Sequence, residues 1–107
     1  MEIKQYQIFI VNLDPTIGRE IKKTRPCLVI SPDEMNKYLK TIIIAPITSK
    51  SKDYPTRIKF SLEGNENWIA LDQIRTIDIM RIIKFIAELE TKEIKKVKAI
   101  IKETFVD

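Results

Sequence analysis

Arg57-Ile58-Lys59-Phe60-Ser61-Leu62-Glu63-Gly64-Asn65-Glu66-Asn67-Trp68-Ile69-Ala70-Leu71 is the stretch that decides the fold class. Its first six residues alternate polar with apolar, the period of a strand with one buried face. Glu63 to Asn67 is hydrophilic and supplies a turn, and Trp68 to Leu71 returns as a second strand, so the stretch predicts a hairpin. Outward from it, Thr41 to Ile47 carries three consecutive isoleucines, as expected for a central strand covered on both faces. Tyr6 to Asn12 and Cys27 to Ser31 are short and rich in β-branched or aromatic residues. Between them Asp14-Pro15-Thr16-Ile17-Gly18 reads as a turn opening a long loop. Ile82 to Leu89 gives one more strand. Thr91 is then placed to cap a helix on which Ile94, Val97, Ile101 and Phe105 recur at helical spacing. No crossover helices separate the strands, which argues against a parallel βαβ fold. The expectation is a mainly β single domain over 1–107, a small curved sheet or barrel closed by a C-terminal helix.

Composition narrows the function. The 107 residues are 44% hydrophobic, enough for one core. They contain no histidine, which excludes Ser/His and Cys/His catalysis and an RNase of the two-histidine kind. Cys27 is the only cysteine, so no intrachain disulfide or thiolate zinc cluster can form; a reducing, cytoplasmic setting fits. The longest apolar runs are too short for a signal peptide or a membrane span. Gly18 and Gly64 are the only glycines, and neither lies in a Gly-rich phosphate loop, so ATP and NAD sites are not expected. The net charge of +4 is unevenly spread: Arg19 to Lys59 holds ten basic and four acidic residues. A polyanionic partner suits this distribution.

Three polar clusters can carry chemistry. In Gly18-Arg19-Glu20-Ile21-Lys22-Lys23-Thr24-Arg25-Pro26, the proline holds Arg25 extended at the strand entrance, where its guanidinium can fork onto a phosphate. The plainer alternative is a solvated basic loop in which Arg25 pairs with Glu20. In the second cluster Thr48, Ser49, Lys50 and Lys52 follow the central strand and offer donors to phosphate oxygens. Local turn bonds by Thr48 and Ser49 are the alternative there. The third is Asp72-Gln73-Ile74-Arg75-Thr76-Ile77-Asp78. Arg75 and Asp78 read as structural, Asp72 is open, and Gln73 can either read a base edge or bond to backbone. Trp68 and Phe9 read as core, while Tyr54, in the basic loop, is a candidate for stacking on a base. Asp14, Glu20 and Asp72 make a poor magnesium site because lysines crowd two of their three segments, so no metal or other cofactor is expected.

The order and spacing of Leu13-Asp14-Pro15-Thr16, Gly18-Arg19-Glu20, Thr24-Arg25-Pro26, Val29-Ile30-Ser31, Pro46-Ile47-Thr48-Ser49-Lys50, Tyr54-Pro55 and Asp72-Gln73-Ile74-Arg75-Thr76-Ile77-Asp78 strongly resemble the MazF/PemK toxin family. The likeness runs from about Tyr6 to Arg81. It implies an SH3-like small barrel of the MazF/CcdB type and a homodimer. It also implies an mRNA interferase that cuts single-stranded RNA at short sequences without metal, held inactive by a cognate antitoxin. Carried over by position, Arg25 and Thr48 match the catalytic pair, and Glu20 matches a loop that covers the RNA. Asp72 matches an acidic position given a catalytic role in one branch. Ser49, Lys50, Lys52, Gln73 and Asp72 are then expected to contact substrate. Lys4-Gln5-Tyr6-Gln7 departs from the family's usual Arg-Gly-acidic opening, which bears on RNA contacts by the first strand. Ala87 stands near a position where many relatives carry glycine.

RNA supplies its own nucleophile in the ribose 2′-hydroxyl, so the protein must only move protons and stabilise phosphate charge. Arg25 suits a clamp and proton donor, Thr48 a donor to a non-bridging oxygen, and Glu20 the base. Two rivals share the fold: a toxin that binds a protein such as DNA gyrase, and a catalytically silent RNA-binding barrel. The ending Thr104-Phe105-Val106-Asp107 lacks the Trp-Gly-Ile tail of the CcdB gyrase poisons.

Overall fold

The computed structural model describes residues 2–106. Strand β1 (Gln7–Asn12) pairs antiparallel with β2 (Thr24–Val29), and helix α1 (Asp33–Tyr38) leads from β2 into β3 (Thr41–Thr48). The hairpin β4 (Arg57–Leu62) and β5 (Asn65–Ala70) follows, then a 3₁₀ turn at Leu71–Gln73 and β6 (Arg75–Asp78). A second 3₁₀ turn, Ile79–Arg81, leads to β7 (Ile82–Glu88), and α2 (Thr91–Ile101) runs into a π-helical turn at Lys102–Val106. The sheet runs in the order β4-β5-β3-β2-β1-β7, with β6 paired to β3 off that path, and every pairing is antiparallel. It curls into a half-barrel with the terminal helix packed on it, the mainly β architecture that the alternating stretch predicts.

Neighbouring residues of the central strands go to opposite faces, and both faces are covered. Ile8, Leu28, Ile47 and Ile69 pack with Val97 of α2. Phe9, Val11, Cys27, Ile42 and Ile44 form a second cluster with Ile77 of β6. This double burial accounts for the apolar run of β3, which is central as expected.

Strand β3 also creates the site, because its outer edge changes partner. Thr41 to Ile44 pair with β6, whereas Ile47 and Thr48 pair with β5. Ile43 O accepts from Ile30 N at 2.9 Å on the β2 side. By strand alternation the backbone of Pro46 therefore faces the other edge, in the gap between β6 and β5. A residue without an N–H removes no ladder bond there. The sheet splits at this point, and the Leu71–Gln73 turn bridges the split.

Several boundaries move. β2 begins at Thr24, so Arg25 lies inside a strand, opposite Val11. The hairpin turn narrows to Glu63 and Gly64, whose φ values of 51° and 82° are those of a tight two-residue turn, and β5 starts at Asn65. Helix α1 and strand β6, of six and four residues, are too short to leave a periodic signature. Helix α1 is held by Asn36, which donates to Ser31 O at 3.0 Å, while the Ser31 hydroxyl accepts from Ile43 N at 3.1 Å. Thr91 is the first residue of α2 rather than its cap; Glu90 precedes it, and no side chain caps the helix. Phe105 sits in the closing π turn, 59% exposed and off the packed face.

Candidate functional site

A cleft of about 230 Å³ opens at the split in the sheet, lined by Glu20, Ile21, Pro46, Asp72, Gln73, Ile74 and Arg75. It gathers the first and third clusters of the sequence, which lie some fifty residues apart in the chain. A larger hollow of about 480 Å³ between β4 and α2 contains none of the residues expected to act on substrate.

Arg25 and Thr48 each lie two residues beyond the paired part of β2 and β3, and neither lines the cleft. Cys27 lies opposite Pro46 and Val29 opposite Ile44; the same antiparallel register carried two residues further would bring Arg25 level with Thr48. Arg25 Nε donates to Lys22 O at 3.1 Å, and its guanidinium has no carboxylate partner among the described residues. The Arg25–Glu20 pairing left open by the sequence does not form. Instead Glu20 Oε1 accepts from Ile17 N at 2.9 Å, within a tight turn that Gly18 makes at a φ of 63°.

Thr48 ends β3 and is buried. Its hydroxyl donates to Lys50 O at 3.3 Å and accepts from Lys50 N at 3.2 Å, a local turn bond of the kind expected of threonine after a strand. Ser49, Lys50 and Lys52 are exposed beyond it, outside the cleft but on the loop it begins.

The third cluster acts largely on backbone. Gln73 Oε1 accepts from Ile21 N at 2.7 Å, tying the first loop to the 3₁₀ turn. Arg75 donates to Leu13 O at 3.2 Å. Arg81 donates to Asn12 O at 3.1 Å and to Asp14 O at 2.6 Å. Asp78 accepts from Met80 N at 2.8 Å. Arg75 and Asp78 thus bond to backbone and form no ion pair among the described residues, and Arg75 also lines the cleft.

Asp72 is gripped by a residue the sequence reading passed over. Arg57 Nε donates to Asp72 Oδ1 at 2.8 Å and its Nη2 to Oδ2 at 2.9 Å, a two-pronged ion pair to which Thr56 adds a hydroxyl at 3.2 Å. Bonding to Arg57 holds the Asp72 carboxyl below its ordinary value, and bonding to Asp72 raises Arg57. The available signal was a lone arginine at the head of an otherwise half-buried alternating strand. Phe9 and Trp68 are buried as core aromatics, and Tyr54 is 51% exposed beside Arg57, its ring centroid 5.7 Å from the guanidinium carbon. Cys27 lies in the core, where burial pushes its thiol up to about 12. Among the described residues no three Asp, Glu or Cys side chains come together to hold a metal ion, and no helix is long and apolar enough to cross a membrane.

A curled antiparallel half-barrel with a basic loop at a split in its sheet and a C-terminal helix packed on it defines a class of small, mainly β protein. Residues 4–105 match the family described as PemK-like, MazF-like toxin of type II toxin-antitoxin system, and the chain belongs to that family. It is 32% identical over 103 residues to Endoribonuclease EndoA of Bacillus subtilis (strain 168), an alignment covering 91% of this chain and 89% of that one. The crystal structure of MazF from Deinococcus radiodurans superposes with a TM-score of 0.86 at 24% identity, covering 96% of each chain. A mycobacterial endoribonuclease in complex with its cognate antitoxin superposes with a TM-score of 0.80 at 14% identity, covering 94% of this chain and 92% of that one. Both likenesses carry the fold.

Proposed function

We propose that this chain, a MazF-like endoribonuclease toxin of a toxin–antitoxin system, cuts single-stranded RNA such as mRNA at short sequences by attack of the ribose 2′-hydroxyl. The observation that supports the reading is the β2–β3 register, which runs from Val29–Ile44 to Cys27–Pro46 and, continued by two residues, would bring Arg25, its guanidinium without a carboxylate partner among the described residues, level with Thr48. Glu20, with one carboxylate oxygen on Ile17 N and the other available, takes the 2′-proton. The 2′-oxygen bonds to phosphorus as the bond to the 5′-oxygen breaks. Arg25 clamps the phosphate and serves as donor to the departing oxygen, while Thr48 donates to a non-bridging oxygen as charge develops. The products are a 2′,3′-cyclic phosphate and a 5′-hydroxyl. Ser49, Lys50 and Lys52 hold the RNA backbone, and the Gln73 amide nitrogen faces a base edge while its oxygen stays on Ile21.

The chain acts as a homodimer in the cytoplasm under an antitoxin. Met80 in the Ile79–Arg81 turn and Ile83 and Phe85 on β7, an edge strand, are exposed apolar residues suited to burial against a second copy. An acidic antitoxin segment is matched by the basic loops at Arg19–Arg25 and Lys50–Arg57. The mycobacterial complex supports a partner of this kind.

The test is cleavage of a short RNA in excess EDTA beside a substrate with 2′-deoxyribose at the cut site. Cleavage of the first and not the second is expected. A requirement for magnesium, or cutting of the deoxy substrate, refutes the mechanism.

A further inference from the structure

The residues that fasten the loop after Thr48 form a connected set that none of the proposed chemistry uses. Arg57 holds Asp72 with both prongs, and its Nη1 donates to Ser51 Oγ at 3.2 Å. Tyr54 lies against the same guanidinium, and Arg57 N donates to Tyr54 O at 3.0 Å. Leu71 N donates to Thr56 O at 3.0 Å, joining the 3₁₀ turn to the strand head. One guanidinium therefore fastens the loop that begins at Thr48 to the turn that floors the cleft. Asp72 has both oxygens engaged in this grip, which leaves it poorly placed either to take a proton or to meet a phosphate, whose charge it would repel.

We propose that Asp72 and Arg57 are positioning residues: together they brace the Ser49–Thr56 loop against the Leu71–Gln73 turn and so aim Thr48, Lys50 and Lys52 at the RNA, without touching it. This rests on the RNA-cleaving reading above. It assigns Asp72 a role distinct from direct contact with substrate.

Asp72→Asn, Arg57→Gln and the double variant test it, with melting temperature confirming that each is folded. Two readouts report on the loop independently of RNA. One is the rate of proteolysis after Lys50 and Lys52. The other is acrylamide quenching of Trp68, the only tryptophan, whose Nε1 donates to Asp53 of the same loop at 3.0 Å. Each single variant is expected to speed proteolysis and raise quenching, and to slow RNA cleavage by on the order of tenfold. The double variant is expected to be no worse than the poorer single one, because both substitutions break one unit. Slower cleavage with proteolysis and quenching unchanged overturns the brace, and so do losses that multiply in the double variant. Loop release in the variants of a parent protein that cuts no RNA would instead overturn the RNase reading and leave the brace standing.

Discussion

Replacing Thr48 with valine keeps the side chain's shape and removes only its hydroxyl, so its effect on rate can be weighed against its effect on stability. In the free protein that hydroxyl donates to Lys50 O at 3.3 Å, long for an O–H···O bond, and accepts from Lys50 N at 3.2 Å. Lys50 is exposed, so water can replace both bonds, and the stability loss is expected near the ordinary net value of about 0.5–1.5 kcal/mol. For a domain of this size that corresponds to a fall in Tm of roughly 4–8 °C per kcal/mol. The length of the donated bond also means that its hydrogen turns to a phosphate oxygen at little cost. Loss of a transition-state donor typically slows a reaction by ~10²–10³, or about 2.7–4 kcal/mol. The transition-state loss therefore exceeds the structural one. Thr48→Ser, which keeps the hydroxyl, is expected to retain most activity. The assay is the initial rate on a short fluorogenic RNA under saturating and subsaturating conditions, paired with thermal melting. A Thr48→Val protein that cuts within about threefold of the parent refutes the donor role. A rate loss that Thr48→Ser shares in full points to packing instead.

Four further outcomes follow from the same geometry. Arg25→Lys is expected to lose most cleavage with little change in Tm, since an ammonium cannot reproduce the fork; retention of the parental rate would remove Arg25 from the chemistry. Gln73→Leu leaves Ile21 N–H without its acceptor, a loss of about 1–3 kcal/mol if it stays buried, so exchange of the Ile21 amide is expected to accelerate markedly; unchanged exchange would show that the bond does not hold the loop. The folded-state pKa of Asp72 is depressed below its ordinary 3.8, so the stability from its pair with Arg57 is complete above that pH and is lost as pH falls through the folded value. The difference in Tm between the parent and Asp72→Asn is accordingly expected to shrink in strong acid. Cys27, with its thiol pushed up to about 12, is expected to resist alkylation at pH 8 until the protein unfolds; any stability it contributes through this shift is present below its ordinary 9.0 and declines as pH rises toward 12.

The strands were legible because alternation and the isoleucine run report burial directly, and burial is what strands share. Arg57 to Leu62 emerged with the boundaries read from the sequence. Helix α1 and strand β6 were not legible, because their identity depends on partners elsewhere in the chain: Ser31 and Ile43 for one, β3 for the other. The same distinction holds at the site. Gly18 to Pro26 and Thr48 to Lys52 stand out as local concentrations of donors. The role of Asp72 is set by Arg57 and that of Gln73 by Ile21, contacts that span 15 and 52 residues. No local pattern encodes such a pairing.

The bonds holding the loop between β1 and β2 have a consequence in time. Leu13, Asp14 and Ile21 are tied down by Arg75, Arg81 and Gln73, at separations of 62, 67 and 52 residues. Strand β1 is likewise sandwiched between β2 and the late strand β7. At synthesis rates of about 5–20 residues per second, a growing chain exposes this loop for roughly 3–13 s before its fastening residues have been made. Over that interval the cation-bearing segment has no scaffold to aim it. Because Gln73, Arg75 and Arg81 lie in the last third of the sequence, most of the chain is made before the cleft can take shape, and the site is among the last parts of the fold to be assembled.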